Sequence, residues 1–201
     1  MKSVELYARA PRYRSAASGW RYHSGVPVTA NPVADRRTLY HRSGRLFTLV
    51  FLVCVGLLAF ALYLQHWRNL DPCPWCVVQR LGYMLVGMIA LVAALHRPGP
   101  IGTTVYSSLG IVASLAGIAA AGYQIYLQVD PERAAKCVGS PVERILDQLE
   151  IGSLIPSLLQ YDGPCTPKPW SFLGLSVPEW SLVWFVLLAA TFAAMVFVSR
   201  R

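Results

Sequence analysis

Charge is scarce in this chain: Asp, Glu, Lys and Arg make up 14% of its 201 residues, against about a quarter in a soluble globule. With an apolar fraction of 55%, that scarcity excludes an ordinary water-soluble domain. Acids are the scarcer sign, ten against 18 Lys and Arg, and the net charge is +8. A surplus of that kind serves nucleic acid when it forms a stripe on a folded face, and no such stripe exists here. Arginines instead crowd the first 45 residues and the last two positions, a pattern that reports membrane topology. Also missing is a small-residue cleavage site after the first apolar run. That run is too long for the core of a signal peptide, so residues 1–45 are read as a poorly ordered basic tail.

What the sequence does have is long uncharged runs. Residues 46–64 and 77–95 are each 19 residues long, the second interrupted only by Gln79 and Arg80 near its start. Nineteen residues at about 1.5 Å each match a hydrocarbon core of roughly 30 Å. A third span is placed at 104–127 within the uncharged stretch 101–129, and a fourth at 180–198. Short connections between the first three make them antiparallel neighbours. The expected fold is therefore an all-α membrane protein, a four-helix transmembrane bundle formed by residues 46–199.

Orientation follows from charge. The tail, the 96–100 connection and the C-terminus hold 12 Lys/Arg against Glu5 and Asp35. The other side holds Arg68, Arg133, Lys136, Arg144 and Lys168 against eight acids. Both termini are then cytoplasmic, and loops 65–76 and 130–179 face the oxidising side. Within the long loop, residues 141–160 place Val142, Ile145, Leu146 and Leu149 opposite Glu143, Arg144, Asp147 and Glu150. This is a short amphipathic helix, lying on the membrane surface or packed on protein.

Of five cysteines, Cys54 falls mid-span and reads as a small apolar filler. The other four, Cys73, Cys76, Cys137 and Cys165, fall on the oxidising side, where disulfides form. Cys73-Pro-Trp-Cys76 leads directly into the second span. No His follows Cys76, which excludes haem attachment; no second close Cys pair exists for structural zinc; no βαβ pattern surrounds it as in thioredoxins. At a helix start, free N–H groups and the positive dipole end favour a thiolate, and Pro74 suits the first helical position. Arg80 lies one turn deeper on the same face, where a guanidinium is costly without a partner, a function or a lipid phosphate to reach. The sharper expectation is that it stabilises negative charge on an electron acceptor beside Cys76. Cys137 and Cys165 are flanked by turn-forming residues, so a disulfide there is exposed and movable. Two such pairs permit a relay of thiol–disulfide exchanges ending in the membrane, although two plain structural disulfides in a small scaffold would use the same residues.

These residues resemble those of the disulfide bond formation protein B family, DsbB. The resemblance covers 46–199 and rests on Pro72-Cys73-Pro-Trp-Cys76 with Arg80, on Cys137, and on Cys165 followed by Trp170-Ser-Phe172-Leu-Gly174 and Pro178-Glu-Trp180. It implies a protein-disulfide oxidoreductase of the bacterial inner membrane. Such an enzyme reoxidises a soluble periplasmic DsbA-like dithiol protein and passes two electrons to a quinone, ubiquinone or menaquinone. It implies that Cys137 and Cys165 are the loop pair, with Cys137 forming the mixed disulfide, and that Cys73 and Cys76 are the membrane-proximal pair. Cys76 and Arg80 would then lie nearest the quinone. Neither nucleic acid nor a metal is implied. Gln124 stands where many members carry a His, and Gln supplies no proton near neutral pH. A vitamin K epoxide reductase-like oxidoreductase is disfavoured because its redox pair comes late in the chain.

Overall fold

A computed structural model describes residues 32–135, 139–163 and 171–199. Helix α1 spans Pro32–Arg68, α2 Pro74–His96 and α3 Pro100–Gln128. Three short helices and one longer turn of helix follow, α4 (Pro131–Ala135), α5 (Pro141–Gln148), α6 (Ile151–Leu154) and α7 (Pro156–Leu159). A two-residue hairpin, β1 (Ser171–Phe172) and β2 (Leu175–Ser176), leads into α8 (Val177–Ser199). Among the described residues, four helices are long and apolar enough to cross a membrane: Ser43–Arg68 of α1, then α2, α3 and α8.

The spans begin earlier than hydropathy alone predicts, at 74, 100 and 177 rather than 77, 104 and 180. Their first turns carry proline, which fits a helix start because the missing N–H has no intrahelical partner there. α2 stops at Arg97, which turns left-handed at φ 46° and donates its N–H to the Ala93 carbonyl, just before Pro98. The larger correction is at α1. The expected unstructured tail ran through residue 45, yet helix begins at Pro32. Charge removes residues 32–42 from lipid without removing helix propensity, so the helix outruns its membrane portion. Residues 1–31 lie outside the described residues.

α1 packs on α2, α2 on α3, and α3 on α8. Phe47 of α1 meets Phe192 of α8 with ring centroids 6.4 Å apart, which closes the bundle. Close approach depends on small residues, the usual basis of helix association in lipid. At Gly117 a Cβ would lie 2.3 Å from the Phe185 ring, and at Gly110 it would lie 2.6 Å from Phe192. The core is Phe47, Val50, Cys54, Val86, Ala90, Phe185 and their neighbours, while Leu49, Leu52, Met88, Val112 and Leu187 face outward.

The expected amphipathic helix within 141–160 forms as three pieces. α5 starts with Ser140 accepting the Glu143 N–H at 3.2 Å, while the Glu143 carboxylate accepts from Gly139, a variant of the capping box. The chain breaks at Glu150 (φ 48°) and at Ile155, which precedes Pro156 and is held out of the helical region. The reading that its apolar face packs on protein holds in part. Leu146, Leu158 and Leu159 pack on Val77 of α2, whereas Ile145, Leu149, Leu154 and Ile155 are exposed. The hairpin pairs Ser171 with Ser176 and Phe172 with Leu175. Leu173 and Gly174 make its turn, both at positive φ as a type I′ turn requires. Trp180 ties it to α8 by donating to the Phe172 carbonyl at 3.0 Å.

Candidate functional site

Cys73 is the residue before α2, in extended conformation (φ −86°, ψ 167°), and Cys76 lies in the helix's first turn. Three residues of separation at a helix start bring both side chains to one side, and the sulfurs stand 3.2 Å apart as a dithiol sharing a hydrogen bond. Cys73 is buried and Cys76 half-buried. The hydrogen bond to Cys76, followed by burial, pushes the Cys73 thiol well above the ordinary cysteine range.

Both sulfurs meet one amide. Gln124 of α3 directs Nε2 to Cys76 Sγ at 3.1 Å and to Cys73 Sγ at 3.3 Å. Its Oε1 accepts from Nε2 of Gln79, one turn below Cys76 on α2. Both glutamines are buried.

Arg80 is also buried, and one nitrogen, Nη1, donates to Gln65 Oε1 at 2.7 Å and to the Leu158 carbonyl at 2.6 Å. The guanidinium thus joins the end of α1, the start of α2 and α7. A second clasp lies on the other side of the cysteine pair. Gly163 donates its N–H to the Pro72 carbonyl at 3.1 Å, and a Cβ there would lie 2.1 Å from the Asp71 carbonyl oxygen. Only glycine fits that approach.

A cavity of about 580 Å³ opens beside the pair. Its wall includes Cys73, Cys76, Gln79, Arg80, Tyr83 and Gln124, with Leu57, Phe60, Leu64, Trp180 and Trp184 supplying apolar surface. Tyr83 stacks on Phe185 at 4.2 Å and its hydroxyl meets Ser181 Oγ at 2.9 Å.

Of the residues singled out from sequence, Cys73, Cys76 and Arg80 line one cavity. Cys137 and Cys165 lie outside the described residues. Cys54 is buried in the core against Gly87, remote from the pair in sequence and packed as a filler. Sequence reasoning treated Gln79 as an interruption of a span and Gln124 as a substitution; it did not join them. The legible signal was polarity itself, since an uncharged amide buried in lipid needs a partner.

A helical membrane bundle with a Cys-x-x-Cys dithiol at the head of one span, walling an apolar cavity, defines a class of membrane thiol–disulfide proteins. Known sequences narrow it. The family described as Disulfide bond formation protein DsbB matches residues 43–195. Proteins named Disulfide bond formation protein B are similar over most of their length. That of Marinobacter nauticus is 45% identical over 143 residues, covering 71% of this chain and 85% of the relative. That of Azoarcus sp. is 42% identical over 156 residues, covering 78% and 93%. That of Nitrosomonas europaea is 43% identical over 141 residues, covering 70% and 85%. The chain belongs to the DsbB family of membrane disulfide bond formation proteins.

Proposed function

We propose that this protein reoxidises a DsbA-like periplasmic dithiol protein and delivers the electrons to a membrane quinone. The observation that carries the reading is that Cys76 and Arg80 wall a single, mostly apolar cavity at the head of α2. A flat ring with a hydrophobic tail suits such walls, and Arg80 and the amides supply the few polar contacts that fix orientation. A quinone bound there supplies a two-electron, two-proton sink.

The thiol steps balance by exchange. A thiolate of the reduced carrier attacks Cys137 of a Cys137–Cys165 disulfide; the carrier's second thiol resolves the mixed disulfide, and the loop pair leaves as a dithiol. The loop dithiol attacks a Cys73–Cys76 disulfide in the same way, which returns the loop pair to its oxidised form. The Cys73–Cys76 dithiol then gives up two electrons and two protons at the cavity. Arg80 holds positive charge at that wall, where negative charge develops. The charge count supports an inner-membrane protein with both termini cytoplasmic, so that all four cysteines face the periplasm.

The test is quinone-dependent reoxidation of a reduced DsbA-like protein by purified enzyme. Cys73→Ala, Cys76→Ala, Cys137→Ser and Cys165→Ser are each expected to lose at least about 100-fold in rate, because the relay's members act as one unit. Cys54→Ala is expected to stay within about twofold, as a filler of similar size. Full activity in any one of the four would break the relay.

A further inference from the structure

We propose that Gln124 is a catalytic residue that sets the redox balance of the Cys73–Cys76 couple, and that Gln79 is the positioning residue that orients it. A carboxamide has one end that donates and one that accepts. An acceptor facing two sulfurs would repel the charge that develops when either becomes a thiolate. Here the choice of end is made by a second amide. Gln79 gives an N–H to Gln124 Oε1, which occupies the oxygen and leaves the nitrogen to face Cys76 at 3.1 Å and Cys73 at 3.3 Å.

The arrangement discriminates between redox states. A thiolate sulfur accepts an N–H far better than a disulfide sulfur, because the charge-assisted bond is the stronger one. Burial sharpens the difference, since no water replaces the amide when it is removed. Gln124 therefore stabilises the reduced couple and makes it more oxidising. Gln124 does so without taking up or releasing a proton itself. Arg80 does not duplicate this effect by contact, because its nearest partners are Gln65 and the Leu158 carbonyl.

The experiment equilibrates full-length protein carrying Cys137→Ser and Cys165→Ser with glutathione buffers. The oxidised fraction of Cys73–Cys76 is read by differential alkylation. No quinone or partner protein takes part, so a failed quinone assay would sink the function proposed above and leave this measurement intact. Gln124→Leu is expected to raise the equilibrium constant for oxidation of the couple about tenfold, equivalent to about 30 mV for two electrons. Gln124→His, which keeps an N–H in that place, is expected to stay within about threefold of the parent. Gln79→Leu leaves the donor present but unheld and is expected to shift the constant about threefold, and to add nothing to Gln124→Leu. An unchanged constant in Gln124→Leu overturns the proposal. A Gln79→Leu effect that persists in full on the Gln124→Leu background overturns the positioning role. Gln79→Leu, which keeps Gln124, carries the test where Gln124→Leu fails to fold; an unchanged constant there also overturns it.

Discussion

At the scale of single residues, Arg80 does two jobs that can be separated. Its charge lies at the cavity wall, and one of its nitrogens fastens α7 through the Leu158 carbonyl and α1 through Gln65. A lysine keeps the charge but presents a compact ammonium without the planar fork, so it serves the two jobs unequally. Arg80→Lys is expected to retain most of the quinone affinity of the proposed reaction while loosening residues 156–163. Arg80→Ala is expected to lose both, with a cost of about 1–3 kcal/mol from the unsatisfied buried groups. Quinone KM and hydrogen exchange of residues 156–163 measure the two separately. Equal exchange in the two variants and the parent would remove the fastening role. Cys73, Cys76 and Arg80 were legible as a group in the sequence because their spacing is local: residues three and four apart at a helix start and along its first turns share a face. The Leu158 contact was not legible. It joins residues 78 apart through a backbone carbonyl, and backbone acceptors carry no residue signature.

Elements follow the same division between local and distant causes. The cores of the four spans were readable because lipid demands an unbroken apolar run of helical length. Their ends, and α1's extension back to Pro32, were not, because hydropathy marks where a helix meets lipid and not where its hydrogen bonds stop. The break of the loop helix at Glu150 and Ile155 could be suspected from Pro156, but its packing on Val77 is tertiary. Packing between spans is where sequence says least and geometry most. Gly117 lets α8 approach until Phe185 fills the space of a side chain, and Phe185 is pinned in turn by its stack on Tyr83. A methyl group there must displace a ring with nowhere to go. Gly117→Ala is expected to cost about 1–3 kcal/mol, the usual range for overpacking. Gly122 lies in the same helix with nothing within 4 Å of an added Cβ, and Gly122→Ala is expected to be neutral or stabilising by up to about 1 kcal/mol. Thermal unfolding in detergent compares the two. Equal midpoints would mean that α3 and α8 do not meet as closely as described.

Across the whole molecule, chemistry and topology are one constraint. The ends of α1 and α2 that flank Cys73 lie opposite the 96–100 connection. The hydrogen bond of Thr104 to Ser199, 2.9 Å long, brings the start of α3 and the end of α8 together at the far side. In the sequence, the first 45 residues, the 96–100 connection and the last two positions hold 12 Lys/Arg and two acids. Segments 65–76 and 130–179 hold five Lys/Arg and eight acids. That asymmetry predicts which side is cytoplasmic, because Lys and Arg next to spans are retained there during insertion. The prediction bears on the chemistry, since a cytosolic glutathione pool would keep Cys73 and Cys76 reduced and an oxidising compartment would not. In a full-length chain with its native cysteines replaced, Gly99→Cys and Ser153→Cys report the two sides. A membrane-impermeant maleimide on intact spheroplasts is expected to label the cysteine at 153, exposed on α6, and to reach the one at 99 only after the membrane is opened. The reverse pattern would place the dithiol in the reducing compartment. No arrangement of amides or arginine at the cavity could then sustain a disulfide-forming cycle.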